Sequence, residues 1–141
     1  MGEIRNFRDL IAWQVGMDVV QLTYELTVDF PKEERFGLTS QMRRASISIP
    51  SNVAEGQAVK APRWTLRHVN TAIGSAAELE TQLEAAIRLR FVTSERSRNL
   101  AGKIDRVQKL LYGMRREKLQ RIGISAATTG ILFFFLLSIV Q

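Results

Sequence analysis

Apolar residues recur at helical spacing along most of this chain. From about Phe7 to Phe30, Leu10, Trp13, Met17, Val20 and Tyr24 fall at steps of three and four, which predicts one stripe of an amphipathic helix ending before Pro31. Gly37 follows, and Thr39 or Ser40 offers an N-cap for a second helix, in which Met42, Ala45, Ile49 and Val53 keep the same steps until Gly56 closes it. Pro62 suits a first helical turn, where its missing amide would have no intrahelical partner. Beyond it Leu66, Val69, Ile73, Ala76, Leu83 and Ile87 predict a third helix to Arg90, with Glu80 standing where the spacing expects an apolar residue. At roughly 1.5 Å per residue that helix would be about 43 Å long. Thr93 or Ser94 caps a fourth helix carrying Leu100, Ile104, Val107, Leu111 and Met114. No strand-period alternation competes and the connections are short. The fold class expected is therefore all-α, an antiparallel up-and-down four-helix bundle over residues 1–121.

Pro50 interrupts the second helix. It cannot donate a helical hydrogen bond and it crowds the preceding turn, so a kink or break is expected there. Ser46, Ser48, Ser51 and Asn52 surround it with short polar side chains able to take up freed carbonyls. Such a kink can let the helix hug its neighbours or can shape a special surface, and the pattern alone does not choose.

Residues 122–141 form a separate apolar tail. Ile122 to Val140 runs without a charge and follows "MRREKLQR", which meets the length and flank criteria of a membrane span. A helical tail packed on the bundle or buried in an oligomer, and a non-native extension produced by read-through, are the alternatives.

Composition removes several function classes. There is no cysteine and a single histidine, His68, so disulfides, thiolate metal sites and His-rich metal clusters are excluded. No cofactor is implied. Glu78, Glu80 and Glu84 lack convergent partners for acid/base work, so the expectation is a non-enzyme with no catalytic residues. Glu80 is read either as a core-edge carboxylate bonded to Arg43 or Arg44, or as a solvated side chain. The charged N-terminal stretch "MGEIRNFRDLIAWQ" has no uninterrupted apolar region, which points to a cytoplasmic protein, with membrane association through residues 122–140 as the alternative.

The formal net charge of +6 is unevenly placed: residues 1–59 hold 6 Lys/Arg against 8 Asp/Glu, and residues 60–121 hold 14 against 6. In an antiparallel bundle the start of the third helix lies beside the end of the fourth. Lys60, Arg63 and Arg67 then gather with Arg115, Arg116, Lys118 and Arg121, opposed nearby by Glu117. Such a cluster suits phosphate contacts with RNA or DNA, and Trp64 within it can stack on a base or belong to the core. Arg88, Arg90, Arg96 and Arg98 form a second cluster at the other end. Beside a membrane span the first cluster would instead hold lipid headgroups, worth about 1 kcal/mol per residue at an anionic surface.

Three stretches carry a family pattern: "FRDLIAWQVGMDVV", "FPKEERFGLTSQMRRASISIPSNVAEG" and "GSAAELETQLEAAIRL". From about Ile4 to Arg121 the chain resembles the four-helix-bundle family of the 23S rRNA intervening-sequence proteins, which also contains the accessory variability proteins of diversity-generating retroelements. The resemblance implies a barrel-like homopentamer with a basic surface and, for the retroelement branch, association with a reverse transcriptase and with nucleic acid. Arg43, Arg44, Pro50, Ser51, Asn52, Glu55, Gly56, Glu78, Glu80 and Gln82 are its signature positions, and their placement on facing helices favours a structural role. Here "QAVKAPRW" stands where the family often continues with a more basic turn, and the tail lies outside the resemblance. The function expected is a non-enzymatic, homo-oligomeric nucleic-acid-binding bundle serving a reverse transcriptase; the alternative is a membrane-tethered scaffold.

Overall fold

Asn6 opens residues 6–123, which the computed structural model describes, and it stops the first stripe from running as one helix. Its Oδ1 accepts from the Arg8 N–H at 2.8 Å while Asp9 Oδ2 accepts from the Asn6 N–H at 3.0 Å, closing a 3-10 turn over Phe7–Asp9. Leu10 is then extended, so α1 spans Ile11–Thr27 and not the longer range that the spacing suggested. A second 3-10 turn, Lys32–Arg35, follows Pro31. Three longer helices complete the chain: α2 over Leu38–Ala58, α3 over Pro62–Arg88 and α4 over Ser94–Arg121.

Cross-helix contacts fix the topology. Arg43 reaches Thr27 and Pro50 meets Gly16 between α1 and α2, Ser48 meets Ser75 and Asn52 meets His68 between α2 and α3, and Asn70 meets Arg115 while Glu80 meets Gln108 between α3 and α4. In each pair numbers rise on one helix as they fall on the next, so consecutive helices run antiparallel. Asp18–Lys103, and Asp29 just past α1 with Arg96, close α1 onto α4 in the same sense, and the backbones of diagonal helices stay farther apart than those of neighbours. The result is the expected four-helix bundle.

The face that α1 buries departs from the stripe the spacing picked out, of which Leu10 and Trp13 pack against the core from its edge. Met17 and Tyr24 are 42% and 38% exposed, whereas Ala12, Val15, Val19, Thr23 and Leu26 face the core. The reason is close approach. A Cβ on Gly16 would lie 3.2 Å from Pro50 Cβ, so the small residues of α1 receive the bent α2, and Thr23 hides its hydroxyl on the Val19 carbonyl at 2.7 Å. Pro50 thus sits buried within a bent but continuous helix that hugs α1. Its polar neighbours turn to their own backbone, with Ser46 Oγ donating to the Arg43 carbonyl (2.8 Å) and Asn52 Nδ2 to the Ser48 carbonyl (2.9 Å).

On α2 the expected Met42, Ala45, Ile49 and Val53 are all buried, as are Leu100, Ile104, Val107 and Leu111 on α4. On α3 the core position falls on Leu79, fully buried, and Glu80 points past it toward α4. The α3–α4 turn is a Schellman motif: Phe91 N–H donates to the Ala86 carbonyl, Arg90 N–H to the Ile87 carbonyl, and Arg90 adopts φ 61°. A non-glycine residue in that left-handed region stores strain. Phe91 offsets it by packing its ring 5.8 Å from that of Phe30. Thr93 then caps α4, accepting from Arg96 N–H at 3.2 Å.

Candidate nucleic-acid interface

A three-residue link, Val59–Ala61, joins α2 to α3, and two side chains pin the start of α3 in place. Trp64 Nε1–H donates to the Glu55 carbonyl at 3.0 Å, and Thr65 Oγ1 to the Gly56 carbonyl at 2.8 Å. Gly56 permits that approach, since a Cβ there would meet His68 Cβ at 3.1 Å. Lys60, Arg63 and Arg67 therefore project from a fixed helix start, all three exposed. The end of α4 is tied alongside by Arg115 Nε donating to Asn70 Oδ1 at 3.2 Å, which brings Arg116, Lys118 and Arg121 to the same end of the bundle.

The seven cations are not equivalent. Glu117 takes Arg121 at 2.7 Å and Lys118 at 3.5 Å, and the Lys118 side chain is only 14% exposed, lying along the bundle with its stem covered. Arg115 is committed to Asn70. Lys60, Arg63, Arg67 and Arg116 are exposed and have no ion pair among the described residues. Four uncompensated cations at one end of a small bundle make a positive surface that a phosphodiester backbone can neutralise. Trp64 divides its roles: its N–H and one side secure α3, its ring lies 4.7 Å from that of His68, and it remains 40% exposed.

At the opposite end, two of the four arginines are already neutralised. Arg88 pairs with Glu84 at 2.8 Å, and Arg96 pairs with Asp29 in the turn after α1. Arg90 occupies the left-handed turn, and Arg98 is exposed on α4.

The signature positions divide by contact. Arg43 donates to Thr27 Oγ1 at 2.9 Å and lies 4.5 Å over the Tyr24 ring, so it binds α1 and not Glu80. Glu80 instead accepts from Gln108 Nε2 at 2.9 Å, because it falls on the α4 side of α3. Pro50 and Gly56 serve close packing against Gly16 and His68. Glu78 accepts from Gln82 at 3.0 Å, and Ser51 is half-buried on α2.

Asn52 and Glu55 form, with His68, a clip that the spacing analysis did not anticipate. His68 Nδ1 lies 3.0 Å from Asn52 Oδ1 and 3.3 Å from Glu55 Oε2. Both neighbours accept, so the proton sits on Nδ1, and the buried Nε2 has no hydrogen-bond partner. A histidine held by an amide and a carboxylate locks α3 to α2. The signal was present in the sequence: an antiparallel register across a short link places Asn52 and Glu55, one turn apart, opposite residue 68. Among the described residues no group of His, Asp and Glu is arranged to hold a metal ion.

The apolar segment from Ile122 lies outside the described residues from position 124 onward. Among those described, no helix is long and apolar enough to cross a membrane.

The family model of the 23S rRNA-intervening sequence proteins matches residues 8–113, all of α1 to α3 and most of α4. A solved structure from Bacteroides thetaiotaomicron, described as a protein with unknown function from the S23 ribosomal protein family, is 20% identical, with a TM-score of 0.68. The alignment covers 75% of this chain and 96% of that one, a likeness of fold. No curated protein matches the chain.

Proposed function

This chain belongs to the 23S rRNA-intervening sequence protein family, and from that premise we propose that it is a non-enzymatic bundle that binds nucleic acid through phosphates. The observation that carries the reading is the set of uncompensated cations Lys60, Arg63, Arg67 and Arg116, held at one end by the Trp64, Thr65 and Arg115 hydrogen bonds. Contacts of this kind position a strand without reading its sequence. Single-stranded RNAs of equal length and composition but scrambled order are therefore expected to bind with affinities within about threefold of one another. Fluorescence anisotropy of end-labelled RNAs measures this. One order binding more than about 100-fold tighter than the rest would show base readout and overturn the phosphate mechanism.

Self-association belongs to the same reading. Met17 and Tyr24 on α1, Val28 at its C-cap and Ile47 on α2 are 42%, 38%, 71% and 43% exposed, an apolar face that a second copy of the chain would cover. Light scattering on the purified protein at tens of micromolar is expected to give a multiple of the 16.0 kDa chain mass. A mass of one chain removes this part of the reading. The finer role, service to a reverse transcriptase, follows from the resemblance of the motifs and from no geometry of the bundle.

A further inference from the structure

We propose that a polar cleft between α2 and α3 binds a single unpaired guanine nucleotide; the expectation that such a nucleotide comes from a nucleic acid rests on the function proposed above. The cleft holds about 430 Å³, within the range of small-molecule sites. Its walls carry Arg44 from α2 and Glu78 from α3, which no ion pair joins among the described residues, so opposite charges face one space without cancelling. Its floor is closed: Asn52 donates to Ser48 Oγ, Ser48 Oγ lies 2.8 Å from Ser75 Oγ, and Ser75 donates to the Thr71 carbonyl. With Ser48 and Ser75 committed, Ser40, Gln41, Arg44 and Glu78 are the groups left to meet a ligand.

Gln82, outside the cleft lining, orders the cleft's carboxylate. It is 8% exposed, and its Nε2 donates to Glu78 Oε1 at 3.0 Å, which holds the carboxylate in place. Its own Oε1 is buried with no hydrogen-bond partner. At the lip stands Phe36, 86% exposed, with the Arg35 guanidinium 5.3 Å from its ring centroid. With Arg35 over the ring, its open side is free to stack on a planar base.

The three demands converge on one ligand chemistry. Arg44 calls for an oxyanion, Phe36 for a planar ring, and Glu78 for adjacent N–H donors. Guanine presents N1–H and N2–H side by side and can give both to one carboxylate. Adenine places an acceptor nitrogen beside its amino group, and cytosine and uracil likewise set an acceptor against the carboxylate. The arrangement therefore selects guanine, with its phosphate on Arg44.

Isothermal titration of the full-length chain with GMP and AMP tests the assignment. GMP is expected to bind once per chain with a Kd on the order of 0.1–1 mM, and AMP at least about tenfold more weakly. Glu78→Gln should erase the preference for GMP over AMP, and Arg44→Ala should bring GMP down to the affinity of guanosine, each with an unchanged thermal melt. No saturable binding of GMP up to about 10 mM, equal affinities for GMP and AMP, or a preference that survives Glu78→Gln would each overturn the proposal. RNA binding that depends on salt while GMP fails to bind sinks the cleft and leaves the basic end standing. GMP binding without salt-dependent RNA binding does the reverse.

Discussion

Leu79→Ala is expected to cost about 2–5 kcal/mol of folding stability, and the neighbouring Glu80→Ala less than about 0.5 kcal/mol. Leu79 is fully buried in the core between α3 and its neighbours, so truncation removes apolar burial and leaves a cavity that α2 and α4 cannot fill without moving. Glu80 is exposed, and its hydrogen bond to Gln108 lies at the surface, where such contacts contribute little. For a bundle of this size the Leu79 effect corresponds to a fall in Tm of roughly 10–20 °C. Urea unfolding of the two variants beside the parent checks it. Equal losses, or a larger loss at position 80, would mean that α3 presents a different face to the core.

That pair also shows where the sequence was legible. On α2 and α4 only one face carries bulky apolar residues at steps of three and four, so the buried set of Met42, Ala45, Ile49 and Val53, and that of Leu100 to Leu111, follow from spacing. Two faces of α1 satisfy the same spacing. The one that packs is the smaller, because Gly16 must admit Pro50, and a hydrophobicity count favours the larger side chains that the fold leaves outside. On α3 the spacing ran onto Glu80 because Ala72, Ser75 and Ala86, too small to mark a stripe, share the buried face with Leu79. The basic end could be read from helix order alone, since antiparallel neighbours must bring residue 60 near residue 121. Which cations remain unpaired could not, because partners such as Asp29 for Arg96 lie far along the chain and meet only after packing. The His68 clip and the Arg44–Glu78 cleft were hidden for the same reason.

Replacing Lys60, Arg63, Arg67 and Arg116 together with alanine is expected to weaken RNA binding by about 10²–10³-fold near 0.1 M salt. Each cation that neutralises a phosphate releases part of a condensed counterion, and four such contacts on a single strand account for a loss of that size. The four side chains are exposed and make no ion pair among the described residues, so their removal should leave folding stability within about 0.5 kcal/mol of the parent. The corresponding change at the other end, Arg88 and Arg96 to alanine, should weaken binding far less, because Glu84 and Asp29 already compensate those charges. A quadruple variant that melts like the parent and binds RNA equally well would move the interface elsewhere on the bundle.

The most direct measurement is the RNA dissociation constant of the parent and of the quadruple variant across about 50–500 mM salt. With four to six phosphates engaged, log K of the parent should fall against log salt with a slope of roughly −3 to −4, and the variant should be shallower by about 3. A parent slope shallower than about −1, or the same slope in both proteins, would contradict binding through phosphates at this end of the bundle.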